Sequence, residues 1–150
     1  MKTICLFGVS NSGKTSTLRL LAETIYKNKN SRVFYGEYPT ERKDILVGFE
    51  FDGLTIGIGS EGDTPEQVKF NLKKLIKAGC DIIVIAARSK GRGHDVIYKK
   101  CKKHELIWLR QRDVYREKNN SNGDELDKNY LFDLTNQQSC LLYTSPSPRD

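Results

Sequence analysis

The chain is poor in the residues that knit small stapled or metal-bound proteins together. Among 150 residues there are four cysteines, two histidines, four prolines and one tryptophan. Cys5, Cys80, Cys101 and Cys140 form no C-x-x-C pair, and the histidines add no ligand spacing, which argues against a structural zinc site. The cysteines read as reduced thiols of a cytoplasmic protein. Long hydrophobic runs are also missing. No apolar stretch approaches the ~20 residues needed to cross a bilayer, so no membrane partner is expected. The opening residues carry one lysine and a short apolar stretch, and read as a folded strand rather than a secretory leader. What remains is an ordinary balance of 37% hydrophobic and 29% charged residues, enough for one domain with a real core.

Charge is unevenly spread. The formal net charge is +6, and residues 88–118 alone hold eleven basic and four acidic groups. Lys99, Lys100, Lys102 and Lys103 read either as a solvated helix face or as a surface for phosphate-rich partners, a phosphorylated small molecule or a nucleic acid.

The most specific pattern lies near the start. Gly8-Val9-Ser10-Asn11-Ser12-Gly13-Lys14-Thr15 spells G-x-x-x-x-G-K-[ST]. Two glycines let a backbone curl with its N–H groups pointing inward at phosphates. A lysine after the second glycine can reach the β- and γ-phosphates, and the following hydroxyl can ligate Mg²⁺. The context fits: residues 3–7 read as a buried strand, and Leu18, Leu21, Ala22, Ile25 and Tyr26 recur at helical spacing after the loop.

Further along, residues 32–35 read as a short strand, and 44–51 and 54–59 as a hairpin around the Asp52-Gly53 turn signal. Thr64, Pro65 and Gln67 announce a helix with a capping box. Val68, Leu72, Leu75 and Ile76 form its core stripe, and Gly79 ends it. Residues 81–87 are almost continuously apolar, as in a parallel strand buried on both faces. A helix over about 94–103 and a strand over 105–109 follow. Residues 1–134 are expected to form one domain, and 135–150, with Pro146 and Pro148, a truncated or non-native tail.

On its first 27 residues the chain resembles the P-loop NTPase superfamily, through the Walker A motif Gly8–Thr15. The resemblance implies an α/β, P-loop NTPase-like three-layer sandwich with a largely parallel sheet and a β-hairpin at about 45–59. It implies ATP and Mg²⁺ as ligands, with Gly8, Ser10, Asn11, Ser12, Gly13, Lys14, Thr15 and Ser16 around the phosphates. The usual second carboxylate, an Asp closing an apolar strand, is missing, and Asp81 precedes its strand instead. Glu61 and Asp63, directly after residues 54–59, are the candidates to serve the metal with Thr15, and Glu37 is a third. Asp63 also suits the adjacent helix N-terminus. Arg88, Lys90 and Arg92 follow the buried strand at the edge where open α/β sheets bind ligands, and could neutralise phosphates. Lys14, Asp63, Arg88 and Arg92 make up the expected catalytic set. His94 and Asp95 read as a proton-transfer pair or, more simply, as a helix start.

These features favour a small ATPase or a kinase-like phosphotransferase. GTP is disfavoured, since no N-K-x-D motif occurs. A nucleic-acid-associated ATPase and a non-hydrolysing nucleotide switch stay open as alternatives.

Overall fold

Alternating residues of two parallel strands face two different cores, and this divides the molecule. In the computed structural model, which describes residues 1–9, 13–88, 92–101 and 105–111, the elements run β1 (Lys2–Gly8), α1 (Lys14–Tyr26), β2 (Ser31–Gly36), β3 (Leu46–Phe51), β4 (Leu54–Gly59), α2 (Pro65–Lys77), β5 (Ile82–Arg88), α3 (Gly93–Lys100) and β6 (Glu105–Arg110). Ile4 and Leu6 of β1, with Ile82, Val84 and Ala86 of β5, pack with Leu18, Leu21, Ala22 and Ile25 of α1. Cys5, Ile83, Ile85 and Ala87 point the other way, toward Val68, Leu72 and Leu75 of α2 and Ile97 of α3. Period-two alternation on strands covered from both sides gives this continuous apolar reading.

The sheet has six strands in the order β2-β3-β4-β5-β1-β6. Strands β4, β5, β1 and β6 are mutually parallel neighbours. Strand β3 runs antiparallel to both β2 and β4, so the sheet is mixed. The β3–β4 hairpin closes on Asp52 and Gly53, both at positive φ (49° and 81°), the geometry a two-residue primed turn requires. All nine elements fall within a few residues of their expected positions. Helix α1 stops at Tyr26, the last residue of the helical spacing seen in the sequence. Lys102, Lys103 and everything after Gln111, including the expected tail, lie outside the described residues. Among the described residues no helix is long and apolar enough to cross a membrane.

Helix α2 starts and stops as its sequence dictates. The Thr64 hydroxyl accepts the Gln67 N–H at 3.2 Å, and the Gln67 side chain accepts the Thr64 N–H at 3.0 Å. At the other end Gly79 adopts φ +84°, while Gly79 and Cys80 N–H donate to the Ile76 and Leu75 carbonyls. That is the double bond of a glycine C-cap. Cys5, Cys80 and Cys101 are free and buried, and burial pushes the Cys80 thiol up to about 11.

Helix α2 comes close to β4 because that strand offers glycines on the facing side. A Cβ at Gly57 would sit 2.8 Å from both Leu75 Cδ2 and Cys80 Sγ. Leu75 is fully buried, so it has little room to yield. Gly57→Ala should therefore lower stability by about 1–3 kcal/mol through overpacking. In urea titrations the midpoint should fall with an unchanged slope. An unshifted midpoint would mean that the α2–β4 contact is looser than described.

Candidate functional site

Every parallel strand delivers its C-terminal end to the same edge of the sheet, and β3, being antiparallel, delivers its N-terminal end there. A cleft of about 370 Å³ lies at this edge. Its walls are residues 13–16 at the start of α1, Lys43 and Asp44 before β3, and residues 60–63 after β4. Gly13, Lys14, Thr15, Ser16, Glu61 and Asp63, all singled out from sequence, therefore meet in one cavity.

Gly8 closes β1, buried and in register with Arg88 at the end of β5. Ser10, Asn11 and Ser12 lie outside the described residues. Gly13 precedes α1 at φ +96° and has no side-chain oxygen to cap the helix. The first turn of α1 carries no acidic residue. Helix α2, by contrast, opens on a complete capping box with Glu66 in its first turn. The α1 end thus keeps its positive dipole end uncompensated by side chains of its own first turn, a setting that favours an anion.

Lys14 is only 7% exposed and folds back over the loop. Its Nζ donates to the Gly8 carbonyl at 2.9 Å and the Val9 carbonyl at 2.8 Å. Burial holds its ammonium below the usual lysine range. Asp63 opposes that shift and the Arg88 guanidinium adds to it. A buried cation held largely by carbonyl dipoles gains from any anion that enters beside it.

The Thr15 hydroxyl is held by a carboxylate that the sequence reading passed over. Thr15 Oγ1 donates to Asp44 Oδ1 at 3.2 Å. The same oxygen accepts the Ser60 hydroxyl at 3.0 Å. Ser60 is buried and receives the Ile45 N–H on its Oγ at 2.8 Å, while its own N–H donates to the Ile45 carbonyl at 3.0 Å. Arg19, one turn beyond Thr15, braces the approach to Asp44. Its guanidinium donates to the Arg42 and Lys43 carbonyls, and to the Thr40 carbonyl at 3.3 Å. The side-chain partner of Thr15 is thus Asp44, a carboxylate additional to Glu61 and Asp63 on the walls of the same cleft.

Glu61 and Asp63 are held by other groups. Gln67 Oε1 accepts the Asp63 N–H at 2.9 Å as well as the Thr64 N–H, and Gln67 Nε2 donates to Glu61 Oε1 at 2.7 Å. Buried Asn71 donates to the Glu61 carbonyl at 2.7 Å. Gly62 lies against β5 so closely that a Cβ would sit 2.0 Å from the Ala86 carbonyl oxygen. The missing side chain of Gly62 admits the neighbouring strand. Asp63 meets Arg88 at 3.8 Å, and both side chains are more than half exposed. Such a pair orients the side chains and adds little stability.

The remaining candidates lie elsewhere. Arg92 is exposed at the start of α3 and does not line the cleft. Lys90 lies outside the described residues, and Lys99 and Lys100 are exposed on α3. Glu37 lines a neighbouring cleft. His94 Nε2 lies 2.6 Å from the Arg88 carbonyl, which can only accept, so this nitrogen carries the proton. Its ring lies 4.7 Å from that of Trp108. His94 therefore serves as a brace under the end of β5, and His94 and Asp95 both stand in the first turn of α3, the helix start that was the simpler reading.

Among the described residues no three carboxylate, histidine or cysteine groups gather as a cation cage. The hydroxyl–carboxylate pair of Thr15 and Asp44 fits Mg²⁺ differently. That ion takes one or two protein oxygens and fills its octahedron with phosphate oxygens and water.

The loop over 60–64 hangs on Gln67. Gln67→Leu should speed hydrogen exchange of the Asp63 and Thr64 amides and cost roughly 1 kcal/mol, as loss of a cap does. Unchanged exchange at both amides would show that the loop is held by Gly62 and Asn71 alone.

No protein-family model, curated protein or solved structure matches this chain, so the chemistry of the cleft is inferred from the residues that line it.

Proposed function

We propose that the chain binds a nucleoside triphosphate, ATP rather than GTP, together with Mg²⁺, and works as a small ATPase or phosphotransferase. The observation that carries this reading is the pairing of Thr15 with Asp44 at the uncapped N-terminus of α1. It brings a hydroxyl and a carboxylate together beside a buried ammonium, at a helix start that has no side-chain cap among the described residues. A phosphate chain needs these groups, and a helix start on its own does not.

Each residue has a separate task. Backbone amides at residues 13–16 receive phosphate oxygens. Lys14 exchanges its hold on the Gly8 and Val9 carbonyls for the outer phosphates and so recovers the counter-charge that burial denies it. Thr15 and Asp44 would hold the metal, with Ser60 keeping the carboxylate in place. Bound Mg²⁺ would neutralise charge on the phosphate oxygens. Lys43 on one wall supplies positive charge against the negative charge of the transferring group, and Arg88, outside the lining but paired with Asp63, adds to it.

Two substitutions test the reading. Lys14→Ala should weaken Mg-ATP by about tenfold or more, which is about 1.4 kcal/mol in calorimetry. If affinity is unchanged, the phosphate site lies elsewhere. Asp44→Asn keeps the shape and a hydrogen-bond acceptor for Thr15 and removes the charge. It should reduce the gain in ATP affinity that Mg²⁺ confers, leaving metal-free binding nearly unaltered. An equal Mg²⁺ gain in both proteins would remove Asp44 from the metal site.

A further inference from the structure

A second cleft, of about 650 Å³, opens beside the first. It lies between the β2–β3 pair and the outer side of α2, and it is lined by Tyr35, Glu37, Leu46, Phe70 and Asn71 among others. Lys43, Asp44 and Glu61 line both clefts. One cation and two carboxylates thus stand at the junction, the place where a group would pass from an occupant of one cleft to an occupant of the other.

Resting on the nucleotide reading above, we propose that this second cleft holds the phosphoryl acceptor. The acceptor is an uncharged, hydroxyl-bearing molecule built on a planar ring, the class to which nucleosides belong. Three observations select that chemistry. Phe70 is 54% exposed, a large apolar ring outside the core, with the Lys74 ammonium 5.5 Å from its centroid. With Tyr35 it gives the cleft aromatic surface for a flat partner. With Asp44 committed to the metal side, the lining sets two carboxylates, Glu37 and Glu61, against two cations, Arg42 and Lys43. A wall with no net positive charge gives a phosphate-bearing acceptor no advantage over a neutral polyol. The volume falls within the range of small-molecule sites, so a polymer is not required.

The junction also divides the work of the two carboxylates. Asp44 Oδ1 is occupied by the Thr15 and Ser60 hydroxyls and belongs to the metal side. Glu61 is exposed, and Gln67 orients it through Oε1. Glu61 takes the proton of the acceptor hydroxyl as that oxygen forms its bond to the γ-phosphorus. The bond from the γ-phosphorus to the bridging oxygen breaks, and its electron pair leaves with the diphosphate. The proton on Glu61 then passes to water, and the products are a phosphate monoester and a nucleoside diphosphate.

The test uses the full chain and titrates the two clefts separately. Thymidine, cytidine and guanosine, their 5′-monophosphates, and inositol as a polyol without a planar ring are titrated without ATP, and Mg-ATP is titrated on its own. At least one nucleoside should bind, more tightly than its monophosphate and than inositol. Phe70→Ala, a surface change that spares the core, should weaken that nucleoside about tenfold with the Mg-ATP affinity unchanged. With both ligands present, Glu61→Gln should slow formation of the nucleoside monophosphate by about 10²–10⁴-fold, read by mass spectrometry. A protein that binds Mg-ATP but no nucleoside, prefers the monophosphates, or ignores Phe70→Ala overturns the acceptor assignment. Unimpaired transfer in Glu61→Gln overturns its role as base. Nucleoside binding without Mg-ATP binding overturns the phosphate reading and the transfer step while supporting the second cleft as a ligand site.

Discussion

One carboxylate oxygen ties the functional edge of this molecule together. Asp44 Oδ1 accepts hydrogen bonds from Thr15, on the first turn of α1, and from Ser60, in the loop after β4. Three stretches distant in sequence meet at that atom. The meeting depends on strand direction. Since β3 runs antiparallel to β4, with Leu46 opposite Gly59, the residues entering β3 stand beside the residues leaving β4. A parallel β3 would have carried Asp44 to the far end of the sheet.

The surrounding structure is arranged to keep this edge in place without filling it. Arg19 holds the carbonyls of the segment leading to Asp44. Gln67 and Asn71 hold residues 60–64 from the side of α2, and Gly62 presses on β5 from below. His94 braces the end of β5, where Arg88 leaves the sheet. Most of these supports are hydrogen bonds to backbone groups, which fix position and leave Lys43, Glu61 and Arg88 exposed. Preorganisation of this kind is what a site needs if it is to stabilise charge without rearranging at the moment of reaction. The buried Lys14 is the exception. It is held over the loop by carbonyl dipoles at a desolvation cost that an incoming anion would relieve.

Much of this was legible in the sequence. Short, nearly continuous apolar runs located β1 and β5, Asp52-Gly53 located the hairpin, and Thr64-Pro65 with Gln67 located the start of α2. Each depends on local physics, namely burial on both faces, positive φ and capping. The Gly8–Thr15 pattern marked the turn into α1, and Glu61 and Asp63 line the cleft beside it. Asp44 escapes the rule for parallel sheets, in which the carboxylate follows a strand. Residues entering an antiparallel neighbour obey the mirror rule. Gln67 was recognised as a cap, but its amide reaches one residue further to Asp63 and across to Glu61, and a four-residue motif does not reveal that. The glycines of β4 were unreadable for a similar reason: what each one admits, whether helix, strand or ligand, is decided by long-range packing.

If phosphates enter between the start of α1 and the Asp44–Ser60 junction, an amide NMR titration with the Mg²⁺ complex of a non-hydrolysable ATP analogue will read it directly. The largest shift changes should fall at Gly13, Lys14, Thr15, Ser16, Asp44 and Glu61, with the far ends of the strands around Lys2 and Phe51 unmoved. Saturable shifts confined to α3 and β6, or no shifts at all, would contradict it.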